Sequence, residues 1–492
     1  MRVYTNNHID AIKSFDVFDE ATQNNFRIVK YLDLGVTTVR LIINSKEILS
    51  LIEHQLSCSL LDFTDTYSST IVVWNELHPE ALSQKIQSYL GEDIKIRIRL
   101  QKLLSKSVVT SFDVFDKTKN CSLVSCNCET GIINAYNALT NTYYYGVQKL
   151  DPEEFLKEGH IFVQILNKIL KTPNSNLVHG AVVGLDNKGI LFCARGQRGK
   201  STLSVLSMLE GFEYVSDDYL VLEQSKSKLF SYPIYSIITL SSKMYNKLFD
   251  KLNGVKFISN NGRKDKYVFN IDVFHKSFRK KYPIELCMFP EIVSDAKPSI
   301  IPCKKGRAIT QIVQSTVSQM GDMADSETIR KLISMVSKYE YYQINLCSDI
   351  NLNVDFLRDF LNNYKYKKHI QNFDDEYIED ITFDIANIIN CKTGALYTMN
   401  KAATNIYEML KNGLTINEIK QIVNDKLDLS LSHNLLLQLD KLDNYLSSSN
   451  DFIVLNNTEQ NNKELNFDFI RDCNYNLSII KHFNSTSTEL LN

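Results

Sequence analysis

Residues 189–206 read GILFCARGQRGKSTLSVL, and this stretch decides the fold. It passes from an apolar run, Ile190–Ala194, through a loop with two glycines into a segment whose leucine spacing is typical of a helix. The pattern predicts a buried strand, a loop and a helix over about Lys200–Leu209, which Gly211 ends. Strands and helices that alternate in this way predict a mixed α/β core.

The loop between that strand and that helix is close to the phosphate-binding pattern GxxxxGK[ST]. Gly199, Lys200 and Ser201 match it, and Ala194 stands where the pattern has its first glycine. In such a loop, backbone N–H groups face phosphates, the lysine neutralises them and the serine hydroxyl ligates Mg²⁺. The alternative is a helix-capping turn with a surface lysine. The candidate nucleotide-binding residues are Ala194, Arg195, Gly196, Gln197, Arg198, Gly199, Lys200, Ser201 and Thr202.

Two acidic residues, Asp217 and Asp218, lie between apolar runs after the predicted helix. One carboxylate can hold Mg²⁺ while the other accepts a proton from a hydroxyl. An acidic β-turn is the alternative. His179 lies in an apolar run, Val178–Gly184, that we predict to be a strand before the loop. A lone histidine there is usually a satisfied core residue, but a strand adjacent to the loop would bring its ring to the Asp217 region.

Three segments in a fixed order resemble the HPr kinase/phosphorylase family, whose core is of the phosphoenolpyruvate-carboxykinase type. They are LVHGAVV (177–183), GILFCARGQRGKSTLSVL (189–206) and GFEYVSDDYLVL (211–222). They correspond to a histidine-glycine strand, a phosphate loop and a downstream acidic pair. The resemblance covers roughly residues 155–365.

The resemblance to that family implies a role for each matched residue. Asp217 is expected to be the general base, and His179 its neighbour in proton handling. Lys200 corresponds to the phosphate lysine. Ser201 and Asp218 correspond to the metal ligands, although the two aspartates are able to exchange roles. The chain departs from the family loop GxSGxGKS at Ala194, Gly196 and Gln197.

Length and composition predict several domains. A chain of 492 residues is too long for one hydrophobic core, and a net charge of −2 argues against nucleic acid as the main partner. No run approaches the roughly 18–20 apolar residues that span a bilayer, and the N-terminus lacks a signal-peptide core, so we expect a cytoplasmic protein without membrane contact. Apolar runs at 28–34, 39–44 and 70–74 predict a β-rich domain over 1–154, before a kinase domain over 155–368.

A third domain is predicted over 376–455. Residues 381–390 and 395–400 have strand patterns around a CKTG turn, and Asn400 can cap a helix over 401–411. Thr415 and Glu418 form a capping box that opens a helix to about Leu427. Regularly spaced leucines predict a third helix over 432–447, and the Asn- and Ser-rich segment 456–492 predicts a loosely ordered tail.

The third domain resembles the winged-helix, PqqD-like domain that recognises precursors of ribosomally made peptide natural products. The resemblance implies that a precursor's leader pairs as an added strand on 395–399 and packs against helix 432–447. A winged-helix DNA reader has the same order of elements, but that helix carries only one basic residue, Lys441.

Together the two resemblances imply a kinase that uses ATP and Mg²⁺ to phosphorylate a Ser or Thr hydroxyl of a precursor peptide held by its leader. Two alternatives remain. One is a kinase of a folded protein or small molecule with a regulatory C-terminal domain. The other is a non-catalytic, ATP-dependent peptide-binding module. Homo-oligomerisation is left open.

Overall fold

The computed structural model has a mixed α/β architecture with several sheets, as the alternation of strand and helix patterns predicts. It describes residues 28–44, 46–75, 109–112, 121–127, 132–137, 141–147, 160–194, 196, 198–226, 228–248, 251–252, 257–259, 266–271, 276–294, 297–320, 326–365, 377–382, 385–426, 436–440, 479–483 and 486–489.

The strands and helices follow in chain order. The strands are β1 (Ile28–Asp33), β2 (Thr38–Ile43), β3 (Leu60–Leu61), β4 (Ser69–Asn75), β5 (Val109–Phe112), β6 (Cys121–Asn127), β7 (Ile132–Asn137), β8 (Thr142–Val147), β9 (Ser175–His179), β10 (Ala181–Leu185), β11 (Lys188–Phe192), β12 (Glu213–Ser216), β13 (Tyr219–Ser225), β14 (Lys228–Pro233), β15 (Ile237–Ser241), β16 (Phe257–Ser259), β17 (Lys266–Asn270), β18 (Tyr282–Ile292), β19 (Ser299–Pro302), β20 (Glu340–Leu346), β21 (Tyr377–Thr382), β22 (Ile385–Asn390), β23 (Leu396–Met399), β24 (Ile479–Phe483) and β25 (Thr486–Glu489). The helices are α1 (Lys46–Leu56), α2 (Val163–Ile169), α3 (Lys200–Leu209), α4 (Ser242–Leu248), α5 (Lys305–Met320), α6 (Ser326–Val336), α7 (Ile350–Asn363), α8 (Lys401–Lys411) and α9 (Ile416–Lys426).

The described residues fall into two compact units. The first contains those up to Leu191 together with Gly199–Ile284 and Asp349–Asn362. The second contains Phe192–Arg198, Glu285–Ser348 and the described residues from Asn363 onward. Each unit therefore gathers segments that are distant in the sequence.

The first unit contains the predicted β-rich N-terminal sheet and the strands around the acidic pair. The N-terminal sheet has the strand order β3-β1-β2-β4-β8-β7-β6-β5. Helix α1, which the β-rich prediction did not include, buries Ile48, Ile52 and Leu56. Near the acidic pair, β10 lies between β12 and β11, and β13 lies between β14 and β9.

The apolar run that was predicted as one strand, Val178–Gly184, is two strands that separate at Gly180. Strand β9 pairs with β13, with Tyr219 opposite His179. Strand β10 instead pairs with β12, with Ser216 opposite Val182. The chain therefore changes neighbours at Gly180, opposite the turn at Asp217 and Asp218, and the Gly180 N–H donates to the Asp218 carbonyl at 2.9 Å.

The second unit contains the predicted C-terminal hairpin, which packs against α5 and α6. A Cβ at Gly394 would lie 2.2 Å from the Ser326 carbonyl oxygen, and one at Gly306 would lie 2.8 Å from that of Glu379. The CKTG turn and the helix over 401–411 are confirmed, and Asn400 caps α8 by accepting from the Ala403 N–H at 3.0 Å. The sequence run 381–390 belongs to two strands, β21 and β22, rather than one.

The capping box is confirmed as well. The Thr415 N–H donates to Glu418 Oε2 at 2.7 Å, and the Glu418 N–H donates to Thr415 Oγ1 at 3.2 Å. Within the predicted third helix over 432–447, residues 436–440 are described and helical. The rest of that segment lies outside the described residues.

The prediction of a loosely ordered tail is wrong for two segments of 456–492. Strand β24 pairs antiparallel with β23, from Leu396 opposite His482 to Met399 opposite Ile479, and β25 pairs with β24. An exposed strand edge presents unpaired N–H and C=O groups, which a later segment of the chain can satisfy. The edge predicted to receive a leader peptide is therefore paired with the chain's own strand.

Candidate active site

Helix α3 begins at the end of the phosphate-loop motif, as the sequence predicts. Gly199 has φ +93°, a left-handed conformation that glycine adopts without the strain that a Cβ causes. No side chain caps this helix. The amide groups of its first turn, which includes Lys200, Ser201 and Thr202, consequently lack a side-chain acceptor and favour a negatively charged one.

Lys200 points its ammonium group at both predicted carboxylates. Its Nζ lies 2.7 Å from Asp217 Oδ1 and 3.1 Å from Asp218 Oδ1. Burial lowers the pKa of the ammonium, but the two carboxylates outweigh burial and raise that pKa above its usual range. Lys200 is therefore a buried permanent cation between two acidic side chains.

Asp217 is the more buried member of the acidic pair, with 1% of its side chain exposed. Its Oδ1 receives the Lys200 ammonium. Its Oδ2 is also buried and has no hydrogen-bond partner. Buried oxygens of this kind are normally satisfied, so one that is not indicates a place for a ligand, an ion or a water.

Asp218 lies beside Lys200 and His179 and has an unusual backbone conformation. Its φ is +71°, which is uncommon for a residue other than glycine and is often found at functional sites. His179 Nε2 lies 3.7 Å from its Oδ1. Burial raises the pKa of the Asp218 carboxyl, but Lys200, His179 and His160 outweigh it and hold that pKa well below its usual range.

His179 reaches the acidic pair by a different route from the predicted one. The sequence suggested that a neighbouring strand would carry the phosphate loop, whereas the strand beside β9 is β13, which begins one residue after Asp218. Burial is the largest influence on the pKa of His179 and lowers it, and the charge of Lys200 lowers it further. The imidazole is thereby favoured in its neutral form.

The first part of the phosphate loop belongs to the second unit. Ala194 is buried and has no positive φ, so an alanine fits where the motif has a glycine. The Arg198 guanidinium pairs with Glu291, also in the second unit. Gly196 is exposed, and Arg195 and Gln197 lie outside the described residues.

One residue that the sequence did not indicate also contacts the acidic pair. His160 Nε2 lies 3.8 Å from Asp218 Oδ2, on the carboxylate oxygen that His179 does not approach. Helix α2 begins at Val163, and His160 is in the turn before it. It belongs to no motif and is separated from Asp218 by a long stretch of chain, so no local pattern identifies it.

Two further statements hold for the described part of the chain. No helix there combines the length and apolarity that crossing a bilayer requires. No group of three or more His, Cys, Asp or Glu side chains is arranged there to hold a metal ion by protein ligands alone.

Comparison with solved structures finds the HPr(Ser) kinase/phosphatase from Coxiella burnetii. It is 15% identical, the match covers 38% of this chain and 93% of that chain, and the TM-score is 0.21. No protein-family model and no curated protein matches the chain. Because so low a TM-score carries no weight, the chemistry of the site has to be judged from its own residues.

Proposed function

We propose that this protein is an ATP-dependent phosphotransferase whose active site is built around Lys200, Asp217 and Asp218. The observation that carries the proposal is the convergence of one buried ammonium and two carboxylates at the uncapped start of α3. Phosphoryl transfer requires mainly positioning and neutralisation of negative charge, and these groups supply both.

The nucleotide phosphates would bind at the start of α3. Lys200 supplies a fixed positive charge, and the amides of Ser201 and Thr202 supply donors at the positive end of the helix. In the described structure the Lys200 ammonium is bound to the two aspartates. Nucleotide binding would therefore make the phosphates share a cation that the carboxylates already hold.

The residues at this site fit a magnesium ion. Asp217 Oδ2 is a buried carboxylate oxygen without a partner, and Ser201 follows Lys200 in the first turn of α3. Mg²⁺ is commonly held by one or two carboxylates together with substrate phosphates, rather than by a cage of protein ligands. When bound, the ion would neutralise charge on the phosphates, with Asp217 and Ser201 as its protein ligands.

The proton acceptor is better assigned to Asp218 than to Asp217. Asp218 exposes 28% of its side chain and Asp217 only 1%, so an incoming hydroxyl has access to the former. This assignment exchanges the roles that the family resemblance implies. Asp218 would take the proton from the hydroxyl, and neutral His179 beside it is suited to pass that proton on.

For the acceptor, we propose the hydroxyl of a Ser or Thr in a precursor peptide whose leader is bound by the C-terminal domain. Support comes from the confirmed hairpin and from α8 and α9, whose order prompted the resemblance. In the described structure β24 lies on the β23 edge. A leader that binds by strand addition there must displace β24, and a leader bound by the same chain raises the effective concentration of its substrate portion.

The proposal is tested with radiolabelled [γ-³²P]ATP, Mg²⁺ and a random library of Ser- and Thr-containing peptides. The full chain is expected to label the library, and Asp218→Asn to lose about 100- to 10,000-fold in rate with Mg-ATP binding retained, because a general base contributes that much. Asp65→Asn, which changes an exposed carboxylate outside the site, is the matched control.

The same experiment separates the alternatives. Labelling by Asp218→Asn at the wild-type rate would refute the assignment of the base. Tight binding of Mg-ATP with no labelling of peptides, proteins or small hydroxyl compounds would support a non-catalytic binding module. Labelling that is unaffected by an added leader would support a kinase whose C-terminal domain serves only regulation.

A further inference from the structure

A short buried segment, His160–Phe162, carries the histidine that the sequence did not indicate. The Ile161 N–H donates to Gln55 Oε1 at 2.9 Å, and the Tyr235 hydroxyl donates to the Ile161 carbonyl at 2.7 Å. Phe162 has a left-handed φ of +63°, and its ring packs edge-on against Tyr145 at 4.8 Å. Both backbone polar groups of Ile161 are thus fixed by side chains distant in sequence.

Gln55 belongs to α1, in the N-terminal region for which the sequence suggested no function. It is fully buried, and its backbone carbonyl accepts from the Ser236 N–H at 2.6 Å. Close by, the Cys58 N–H donates to Ser236 Oγ at 2.7 Å, and Ser59 Oγ donates to the Ile234 carbonyl at 3.1 Å. The C-terminal end of α1 and the residues that follow it are therefore hydrogen-bonded to Ile234 and Ser236, which flank Tyr235.

The ring of His160 is confined by two tyrosines. Its centroid lies 4.8 Å from that of Tyr219 and 4.4 Å from that of Tyr235, both in edge-on arrangements. Its Nε2 lies 3.8 Å from Asp218 Oδ2, while His179 Nε2 lies 3.7 Å from Asp218 Oδ1. Asp218 is therefore flanked by one imidazole at each carboxylate oxygen.

We propose that His160 is a positioning residue for the Asp218 carboxylate, and that Gln55 positions His160 by holding the backbone of Ile161. The N-terminal region then completes the active site rather than only packing beside it. The inference rests on the proposed function, in which Asp218 acts on the substrate hydroxyl. Lys200 and His179 both approach Oδ1, so loss of His160 would remove the contact on Oδ2 and let the carboxylate turn away from the incoming hydroxyl.

Two substitutions at His160 separate positioning from packing. His160→Phe keeps an aromatic ring between Tyr219 and Tyr235 but has no nitrogen. His160→Gln has an amide nitrogen that reaches about as far as Nε2. We expect His160→Phe to lower kcat by up to about 100-fold with KM for ATP unchanged, because misplacement of a reacting group has effects of that size, and we expect His160→Gln to restore most of the rate.

Gln55→Met tests whether the N-terminal region acts through His160. Methionine has a similar shape to glutamine but no amide oxygen to accept from Ile161. We expect Gln55→Met alone to lower kcat. It should not lower kcat further in a His160→Phe background, because both residues act through the same contact with Asp218 and their effects on the rate therefore do not add. Thermal unfolding of each variant shows whether the fold is retained.

A second readout does not depend on catalysis. The ¹³Cγ resonance of Asp218, assigned by its loss in Asp218→Asn, is expected to shift in His160→Phe and Gln55→Met and to stay near its wild-type position in His160→Gln. Unchanged resonances in all three variants would overturn the inference even if the protein transfers no phosphate. Wild-type kcat in His160→Phe, in a chain that does label peptides, would overturn it while leaving the proposed function intact.

Discussion

Replacing Lys200 with methionine removes the cation that holds Asp217 and Asp218 together. The ammonium is buried and lies 2.7 Å and 3.1 Å from the two carboxylates. Removing one partner of a buried ion pair costs about 3–5 kcal/mol, because a charge is left buried without compensation. We expect Lys200→Met to lower the free energy of unfolding of the first unit by about that amount.

A second substitution tests whether the lost stability arises from the contact between Lys200 and the buried carboxylates. In Lys200→Met with Asp217→Asn, the most buried carboxylate is neutral, and most of the lost stability should return. Urea titration measures the free energy of unfolding of both variants. The chain's one tryptophan, Trp74, lies in β4 of the first unit, so its fluorescence follows that unit.

Two results would refute this reasoning. One is a Lys200→Met variant that unfolds at the wild-type urea concentration, since the buried ion pairs would then contribute nothing. The other is a double variant no more stable than the single one, since the penalty would then not come from the uncompensated carboxylate. Regained stability without regained nucleotide binding would separate the structural role of Lys200 from its functional one.

Three further predictions concern other parts of the molecule. The free energy of unfolding should fall as pH drops below 6.5, because burial lowers the pKa of His179 in the folded chain and the unfolded chain then binds the proton more readily. Urea titrations with EDTA measure this dependence, and His179→Asn should flatten it. Gly199→Ala should lower the free energy of unfolding by about 1–2 kcal/mol through its left-handed φ and weaken nucleotide binding in calorimetry, whereas Gly196→Ala, with open space around it, should leave the free energy of unfolding unchanged. Removing residues 479–492 should expose the β23 edge and increase the affinity for extended leader peptides in fluorescence anisotropy; unchanged affinity would argue against strand addition there.

Local patterns in the sequence predicted elements whose determinants are themselves local. The helix over Lys200–Leu209 and the one over 401–411 have the predicted bounds, since their apolar spacing and terminal residues lie within a few positions of each other. The Asn400 cap is of the same kind. The family resemblance of the three segments also led to the expectation that Lys200 and the acidic pair lie together, and their side chains are in contact.

The features that the sequence missed depend on contacts between distant segments. His160 reaches Asp218 because Gln55 and Tyr235 hold Ile161, and no spacing rule connects these positions. The separation of β9 from β10 depends on which strands pair on each side of Gly180, which a continuous apolar run does not reveal. The strand at 479–483 forms where an open edge is available, although the composition of the tail suggested little order.

The measurement that tests the central claim most directly is calorimetric titration of the full chain and of Lys200→Met with Mg-ATP. The ammonium contributes a charge-assisted interaction of about 1.5–3 kcal/mol, which corresponds to roughly a 10- to 100-fold change in Kd. We predict saturable binding by the wild type and weakening of that order in a Lys200→Met variant whose circular dichroism spectrum matches the wild type. Equal affinity in the two proteins, or no binding by either, would contradict a phosphate site at Lys200.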